Sequence, residues 1–431
     1  MKNKIINIIL SASTVLLLMT SCNKELEQFP SGLVTPATGP TLDQLLSNNP
    51  DDSLYYRMLV TAGMNNTFAD STKSFTIFAI DNLGMKRFIS ALSGGALNPN
   101  LPNFVFSNFI SNLYPSLYPY PDSGVNSAIV KYKSLISYNT VPQKLLSSQI
   151  GATFPNFIYP TILEPIPGAV LPQLPGLGPV IRLAVYPSTE NGPWLNNVPI
   201  TGVDQLASNG VIHHIATLNV PSQRYLWDRI STDPELTYLK AAVERADSGV
   251  VGSRLQDYLS TFGPDFTVFA PVDSAFKVTL TGLILQGLIA QGLPLQLALP
   301  IATQLASTPN VFNNPALASA LSPTNVKGIV VYHVLGKRAY TNNFPTIEPV
   351  TGYPTLLNSG VPSHPGLKLK ATFGVVPPFV AAATVKDVYD NSPAANIIIN
   401  ASPLTPDPNG TSDQQYINGV LHKIDRVLLP Q

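Results

Sequence analysis

The sequence predicts an α/β protein in which one structural unit is built twice along the chain. A short β-prone run occurs twice, as FTIFA at 75–79 and FTVFA at 266–270. An Asn-Gly pair followed by apolar residues also occurs twice, as NGVIH at 209–213 and NGVLH at 418–422. We therefore expect two tandem domains at 41–222 and 223–431, called the first copy and the second copy below.

The first 22 residues have the pattern of a lipoprotein signal peptide. Lys2 and Lys4 precede an apolar run, Ile5–Met19, which is as long as a signal-peptide core and too short for a membrane span. Small residues then lead to Cys22, the only cysteine in the chain. This resembles the bacterial lipobox, whose cysteine is acylated and becomes the first residue of the mature protein. The alternative is an ordinary signal peptide or membrane anchor with an incidental cysteine.

The segment after Cys22 predicts a tether to an envelope membrane. Residues 23–40 are rich in Pro, Gly and Thr. Asn23 stands where Asp often marks retention in the inner membrane, which favours the outer membrane, on either its periplasmic or its cell-surface face.

The composition is that of a weakly charged envelope protein. Of the 431 residues 45% are hydrophobic, only 12% are charged, and the formal net charge is zero. Loss of Lys2 and Lys4 leaves 23 basic and 25 acidic residues, so no basic field exists to attract nucleic acid. With a single cysteine, packing rather than disulfides must stabilise the fold.

Helices are predicted before and after the repeated strand. Helical patterns open at Leu54–Gly63 and Leu236–Ala246, upstream of FTIFA and FTVFA. Downstream, Asn82 and Asp273 occupy matching positions and are expected to be N-caps of the next helix. The proline-rich stretch 159–187 favours extended strands joined by rigid turns over helix.

The strands have their own signals. FTVFA places alternate residues on opposite faces, and because both faces are apolar the strand is expected to be buried on both. Each Asn-Gly pair predicts a tight hairpin turn, since both residues tolerate positive φ. The segment YHVL at 332–335 has its first-copy partner in LISYNTV at 135–141.

These motifs together resemble the fasciclin domain. The second copy carries FTVFAPVDSAF, YHVL and INGVLHKIDRVLLP in order, whereas the first departs at Ile80, Asn139 and Ala216 and is degenerate. The resemblance implies that each domain is a β-wedge of about seven strands with a flanking helical layer. It also implies cell adhesion or extracellular-matrix contact. The acidic motifs by which some animal members bind integrins are not seen, so integrin binding is not expected.

The motif residues are interpreted as structural before functional. Tyr332, His333, His213, His422 and Asp273 fall within the shared motifs. A lone histidine on a buried strand is expected to bond backbone or a carboxylate, the alternative being a ligand or catalytic role. His213 and its neighbour in sequence point to opposite faces of a strand, so they should not bind one metal together.

No catalytic motif is recognisable. The chain has no nucleophile elbow, zinc-binding His-Glu-x-x-His, P-loop or dinucleotide fingerprint, and its only thiol is assigned to lipid. We therefore expect a non-enzyme without metal or cofactor.

Two insertions are the candidate binding regions. Residues 278–326 carry no charged residue and no histidine. We expect two or three short helices there, interrupted at Pro294 and Pro300, with one face on the sheet. Exposed apolar residues such as Leu283 and Leu288 would form a docking patch, whereas an enlarged core is the alternative.

The insertion in the first copy, 97–124, is aromatic. Tyr114, Tyr118 and Tyr120 on a polar loop suit stacking against a glycan, whereas a self-packed cluster is the alternative. The expected function is adhesion, or protein or glycan binding, by an envelope lipoprotein. The alternative is an accessory structural subunit of an outer-membrane nutrient-uptake or envelope complex.

Overall fold

A computed structural model describes residues 38–111, 128–152, 154, 158–163, 182–374, 379–387, 393–400 and 409–430. These residues lie almost entirely in a single compact unit, Pro40–Gln431. The division into 41–222 and 223–431 therefore stays a prediction. Cys22 and the tether up to residue 37 lie outside the described residues.

The helices of the first copy bracket its repeated strand. They are α1 (Leu42–Asn48), α2 (Ser53–Thr61), α3 (Asn65–Ala69), α4 (Asn82–Leu92), α5 (Asn103–Ser111) and α6 (Ala128–Tyr138), with short 3₁₀ helices at Pro50–Asp52 and Ser147–Gln149. The strands are β1 (Phe75–Ala79), β2 (Thr140–Val141), β3 (Tyr159–Pro160), β4 (Ala184–Val185), β5 (Pro187–Ser188), β6 (Trp194–Leu195), β7 (Val198–Ala207) and β8 (Gly210–Ile215).

The second copy repeats this arrangement with longer elements. Its helices are α7 (Leu226–Thr232), α8 (Thr237–Ala246), α9 (Leu255–Leu259), α10 (Asp273–Ala290), α11 (Leu295–Leu305) and α12 (Pro323–Tyr332), with 3₁₀ helices at Pro309–Asn313, Pro315–Leu317, Thr341–Asn343 and Leu356–Ser359. Its strands are β9 (Phe266–Pro271), β10 (Val334–Leu335), β11 (Leu367–Gly374), β12 (Phe379–Asp387), β13 (Ala395–Ile397), β14 (Gln414–Tyr416) and β15 (Gly419–Ile424).

The two sheets have the same central strands. The first runs in the order β2-β1-β8-β7-β6-β5, and the second in the order β10-β9-β15-β13-β12-β11 with β14 beside β15. In both, the repeated strand lies parallel to the closing strand, with Phe75 opposite Gly210 and Phe266 opposite Gly419. The sequence repeat therefore corresponds to the same pairing of the repeated strand with the closing strand in both copies. The fold is mixed α/β, with helices and sheets in each copy.

The central strands are buried on both faces. Every residue of β1, β9 and β15 is buried. One apolar cluster fills the first copy, and two fill the second on either side of its sheet.

Each asparagine ends a two-residue hairpin turn and the glycine after it begins the closing strand, and only the glycine adopts positive φ. Gly210 and Gly419 have φ of 155° and 156°, and a Cβ on Gly419 would lie 2.3 Å from the carbonyl oxygen of Phe266. The side chain of Asn418 instead accepts a hydrogen bond from the amide of Leu226, and Asn209 does the same for Leu42. The predicted hairpins are present, and the asparagine contributes to them by bonding the first amide of a helix rather than through positive φ.

The prediction that Asn82 and Asp273 are N-caps of the next helix was wrong. Both are the first residue of their own helix, α4 or α10. The Asp273 carboxylate accepts hydrogen bonds from the Tyr238 amide (3.0 Å) and the Thr237 hydroxyl (2.6 Å), at the start of α8. Asn82 accepts from the Leu54 amide at 2.9 Å, at the start of α2. These side chains satisfy amides of a neighbouring helix, which a local sequence pattern does not reveal.

Candidate functional site

The histidine of the closing strand is fixed by backbone groups in the second copy. His422 Nε2 donates to the carbonyl oxygen of Ala339 at 2.9 Å, and Nδ1 accepts from the amide of Asp413 at 3.1 Å. Asp413 has φ 54°, a left-handed conformation that Asp tolerates, and its carboxylate accepts from the amide and hydroxyl of Thr341. The cluster is a clamp that joins two loops to β15.

The first copy contains the same clamp. His213 Nε2 donates to the Leu145 carbonyl at 2.8 Å and Nδ1 accepts from the Asp204 amide at 3.2 Å. Asp204 has φ 58° and bonds the amide and hydroxyl of Ser147. Sequence reasoning missed both aspartates and their hydroxyl partners. The aspartates are separated by the same 209 positions as the two histidines, so aligning the copies at that offset would have revealed them.

Burial makes these histidines poor acid–base groups. Desolvation lowers the pKa of His422 and of His213 below the usual value, which favours the neutral ring. The neutral form is the one that donates from Nε2 and accepts at Nδ1, as both rings do. Their contacts are those of structural residues.

The Tyr-His segment connects the end of α12 to the residues that follow β15. His333 Nδ1 donates to the Ile329 carbonyl at 2.8 Å, and Nε2 accepts from the Leu428 amide at 2.9 Å. Complete burial lowers the pKa of His333 to about 4. Tyr332 is also buried and donates to the Gly366 carbonyl at 3.1 Å.

The first copy retains these bonds without a histidine. Asn139 donates to the Leu135 carbonyl at 2.8 Å and accepts from the Asn219 amide at 3.2 Å. An amide carries a donor and an acceptor, as a neutral imidazole does, so it can bridge the same two backbone groups. The first copy diverges in sequence here but not in hydrogen bonding.

A buried ion pair occupies matching positions on the two closing strands. Lys423 lies 2.7 Å from Asp233, whose carboxylate also contacts Arg229 at 2.8 Å. In the first copy, His214 lies 2.9 Å from the fully buried Asp52. The hydrogen bond that His214 donates to the Asp52 carboxylate raises the pKa of His214 above its usual value. His213 and His214 therefore have separate partners, and they do not share a metal site.

The histidines and Asp273 of the motifs therefore hydrogen-bond to other groups of the fold. Among the described residues, no group of three or more His, Cys, Asp or Glu side chains could hold a metal ion. The insertions outside the motifs are the remaining candidate functional surfaces.

The uncharged insertion of the second copy forms a helical hairpin. Helix α10 packs chiefly on α11 and α8, where Phe276 stacks on Tyr238 with ring centroids 6.0 Å apart. Leu280 and Ile284 of α10 lie in the same buried cluster as Phe266 and Val268 of β9, so part of this insertion also packs into the second-copy core. Pro294 precedes α11, as predicted for a break, but Pro300 lies inside α11 and does not end it.

The hairpin exposes most of its large aliphatic side chains. Leu283 is 42% exposed, whereas Leu288 is half-buried and packs on the second-copy core. Exposed side chains on the hairpin are Val278, Leu283, Ile289, Leu295, Leu297, Leu299 and Ile301. The buried residues of α11 are the small Ala298 and Ala302. The hairpin therefore combines a face buried in the second-copy core with aliphatic side chains that are exposed.

The aromatic insertion of the first copy is described only in part. Helix α5 buries Phe106 and leaves Phe104 65% exposed. Tyr114, Tyr118 and Tyr120 lie outside the described residues, so the glycan-stacking prediction is untested.

A buried amide network joins the two copies. Gln415 Oε1 accepts from the Tyr138 hydroxyl and from Asn196 Nδ2, both at 3.0 Å, and its Nε2 donates to Asn219 at 3.3 Å. Asn342 Nδ2 donates to the Asn196 carbonyl at 3.0 Å. Because these groups satisfy one another across the junction, separating the copies would leave them unpaired.

A small cleft lies beside this junction. Its volume is about 160 Å³ and its lining includes Arg182, Tyr186, Asp265 and Arg338. Arg338 lies 2.6 Å from Asp265 and 4.8 Å from the Tyr186 ring centroid, so its charge is compensated within the fold. The volume of the cleft is below the usual range for sites that hold drug-sized ligands.

Within the described residues, the structure has no helix that is both long and apolar enough to span a membrane. Cys22 and the preceding segment are not among those residues.

Comparisons with known proteins give a likeness in fold only. No family model matches the chain, and no curated protein matches it. Among solved structures, the chain is similar to a FAS1 domain pair from the insect cell adhesion molecule fasciclin I, with 14% sequence identity and a TM-score of 0.30. The match covers 88% of this chain and 96% of the insect chain. The repeated architecture is evident in the chain's own strand registers and hydrogen bonds.

Proposed function

We propose that the protein is a non-catalytic binding module of the cell envelope, tethered through acylated Cys22 to the outer membrane. It holds an extracellular protein or glycan ligand, as an adhesion protein does. The observation that carries this proposal is the contrast between buried motif side chains and exposed side chains on the insertions. The motif histidines and carboxylates are bonded into the fold, whereas exposed apolar side chains lie on the two insertions, at Phe104 of α5 and on the α10–α11 hairpin.

Two features support a binding role over a catalytic one. The shared clamps and the junction network make a firm frame, on which insertions can present a surface without disturbing the core. Exposed apolar patches on soluble domains typically mark interaction sites. The resemblance of the motifs to the fasciclin domain agrees with adhesion.

A binding array tests the proposal directly. The chain from Asn23, which retains the whole compact unit, would be applied to immobilised glycans and extracellular proteins. We expect a saturable ligand whose binding falls in Phe104→Ala, at the exposed end of the first insertion. The matched control is Val251→Ala, which alters a fully exposed side chain outside both insertions. Absence of any saturable ligand would contradict the adhesion role.

The second candidate function is an accessory subunit of an envelope complex, favoured by the exposed aliphatic hairpin. Such a subunit would remain with a membrane partner after detergent extraction. Co-purification of the full chain should then be lost in Leu283→Asp with Leu297→Asp and kept in Ile347→Asp, a control at an exposed site outside the hairpin. Leu288 is unsuitable for this test, because it packs on the core.

A further inference from the structure

Helix α11 of the α10–α11 hairpin exposes two aliphatic stripes. Leu295 and Leu299 form one stripe on α11, and Leu297 and Ile301 form another, each pair spaced by one helical turn. All four are more than 40% exposed, between 42% and 62%. The two stripes lie on either side of the buried Ala298 and Ala302, and Gln296 and Gln304 are exposed on the outer side of α11.

The chemistry of the hairpin does not resemble a protein-binding hot spot. Residues 278–326 contain no Lys, Arg, Asp, Glu or His, and residues 278–305 contain no aromatic residue. Energetic centres of protein interfaces are enriched in Trp, Tyr and Arg, which supply oriented contacts. Leu, Ile and Val supply apolar area without direction, which is all that an acyl-chain environment requires.

The chain outside the described fold places a membrane within reach. Residues 23–40 lead from Cys22 to Pro40, whose carbonyl accepts a bond from Ser208. Fully extended, such a segment spans at most about 60 Å. This step rests on the proposed function, since it assumes that Cys22 carries lipid.

We propose that the α10–α11 hairpin is a second membrane contact, which lies along a lipid bilayer and buries the Leu297 and Ile301 stripe of α11 in its surface. The hairpin does not cross the bilayer. Gln286, Gln291, Gln296 and Gln304 stay at the level of the headgroups, where water and polar groups satisfy their amides. Membrane contact by the second copy leaves the first copy to face the ligand.

This contact has a distinctive dependence on charge. Because the insertion carries no cation, binding should come from apolar burial alone. It should be equal for neutral and anionic bilayers and should persist at high salt, unlike the binding of a polybasic segment.

Vesicle flotation tests the proposal. The chain from Asn23, which lacks the lipid anchor, would be mixed with phosphatidylcholine vesicles, and with the same vesicles containing a minor fraction of phosphatidylglycerol, in low and molar salt. We expect the same bound fraction in all four conditions. Leu297→Asp should weaken vesicle binding roughly tenfold or more, since it places a charge on the inserted stripe. Ile347→Asp should leave binding unchanged.

Three results would overturn the proposal. Flotation that depends on phosphatidylglycerol or disappears in molar salt would indicate electrostatic adsorption. A dimer in light scattering that dissociates in Leu297→Asp, without vesicle binding, would identify a second copy as the occupant. Equal loss in both variants would mean that the hairpin is not the contact. Circular dichroism of each variant confirms that it is folded. The ligand array described above uses no vesicles, so failure of the lipid contact and failure of the adhesion role are separable.

Discussion

At the residue scale, the chain uses different side chains to make the same backbone connections. His333 and Asn139 each bond a carbonyl one turn earlier in a helix and an amide near the end of the copy. Lys423 and His214 likewise bond a buried aspartate at matching places. What the two copies share is the set of bonded backbone groups rather than residue identity.

The first prediction exploits this equivalence. His333→Asn should destabilise the protein much less than His333→Leu, because Asn supplies a donor and an acceptor and Leu supplies neither. Leaving buried groups unpaired in the Leu variant should cost about 1–3 kcal/mol for each group. Urea unfolding of the two variants measures the difference. Equal losses would show that the hydrogen bonds of His333 do not matter.

The second prediction concerns pH. The folded-state pKa of His214 is raised by Asp52, so the pair stabilises the fold below the unfolded-state pKa of about 6.5 and loses this contribution as pH rises through the folded value. The free energy of unfolding should therefore differ more between wild type and His214→Gln at about pH 5.5 than at about pH 8.5.

Comparison with the variant removes the opposing effect of the other histidines. His213, His333 and His422 have lowered pKa values, so the stability they contribute is lost as pH falls below about 6.5. A difference between wild type and His214→Gln that grows towards alkaline pH would contradict the assigned pairing.

At the element scale, each closing strand depends on the glycine at its start. Gly419 brings β15 so close to β9 that no side chain fits between them, and Gly210 does the same in the first copy. The strained φ and the close approach to the repeated strand coincide at the same position in both copies.

The third prediction compares two glycines. Gly419→Ala should destabilise the protein by about 3 kcal/mol or more, because the Cβ meets a backbone carbonyl and positive φ is unfavourable. Gly282→Ala is the matched control. Gly282 lies within α10 with nothing near its Cβ position, so alanine should stabilise by about 0.5–1 kcal/mol. Thermal unfolding of both variants tests the contrast, and destabilisation in both would contradict it.

Periodicity and repetition in the sequence predicted the helices and strands well, but they did not predict the side-chain contacts between those elements. Strands β1 and β9 and the helices before them lie where the FTIFA and FTVFA runs and the upstream patterns place them. Local patterns could not show that Asp273 bonds the start of α8, since that contact spans 35 residues. Pro300 was expected to end a helix, yet α11 continues past it. The exposure of Leu297 was not predictable either, because composition alone does not distinguish a core helix from a projecting one.

At the whole-molecule scale, the amide network makes the two copies interdependent. Gln415 of the second copy bonds Tyr138 and Asn196 of the first. A protein tethered at its start and contacting a bilayer through its second copy would need such a connection to hold the first copy in a fixed orientation.

The fourth prediction is that the copies unfold together. The chain has only two tryptophans, Trp194 in the first copy and Trp227 in the second. Trp194→Phe and Trp227→Phe therefore give reporters for the separate copies, and their unfolding midpoints should coincide in urea. Adding Gln415→Ala with Asn342→Ala should separate the midpoints.

The control for that experiment is Asn325→Ala, which removes hydrogen bonds on the surface of the second copy and should keep the midpoints together. Separate midpoints without any junction substitution would mean that the copies are independent.

Photo-crosslinking in native membranes tests most directly the claim that a lipid-tethered binding module contacts its surroundings through the hairpin. A photoreactive residue would replace Leu297 in the full chain, with Ile347 as the control position, and the adducts would be identified by mass. The account predicts phospholipid adducts at 297 and none at 347. Adducts with a single protein at 297, or no preference between the two positions, would contradict it.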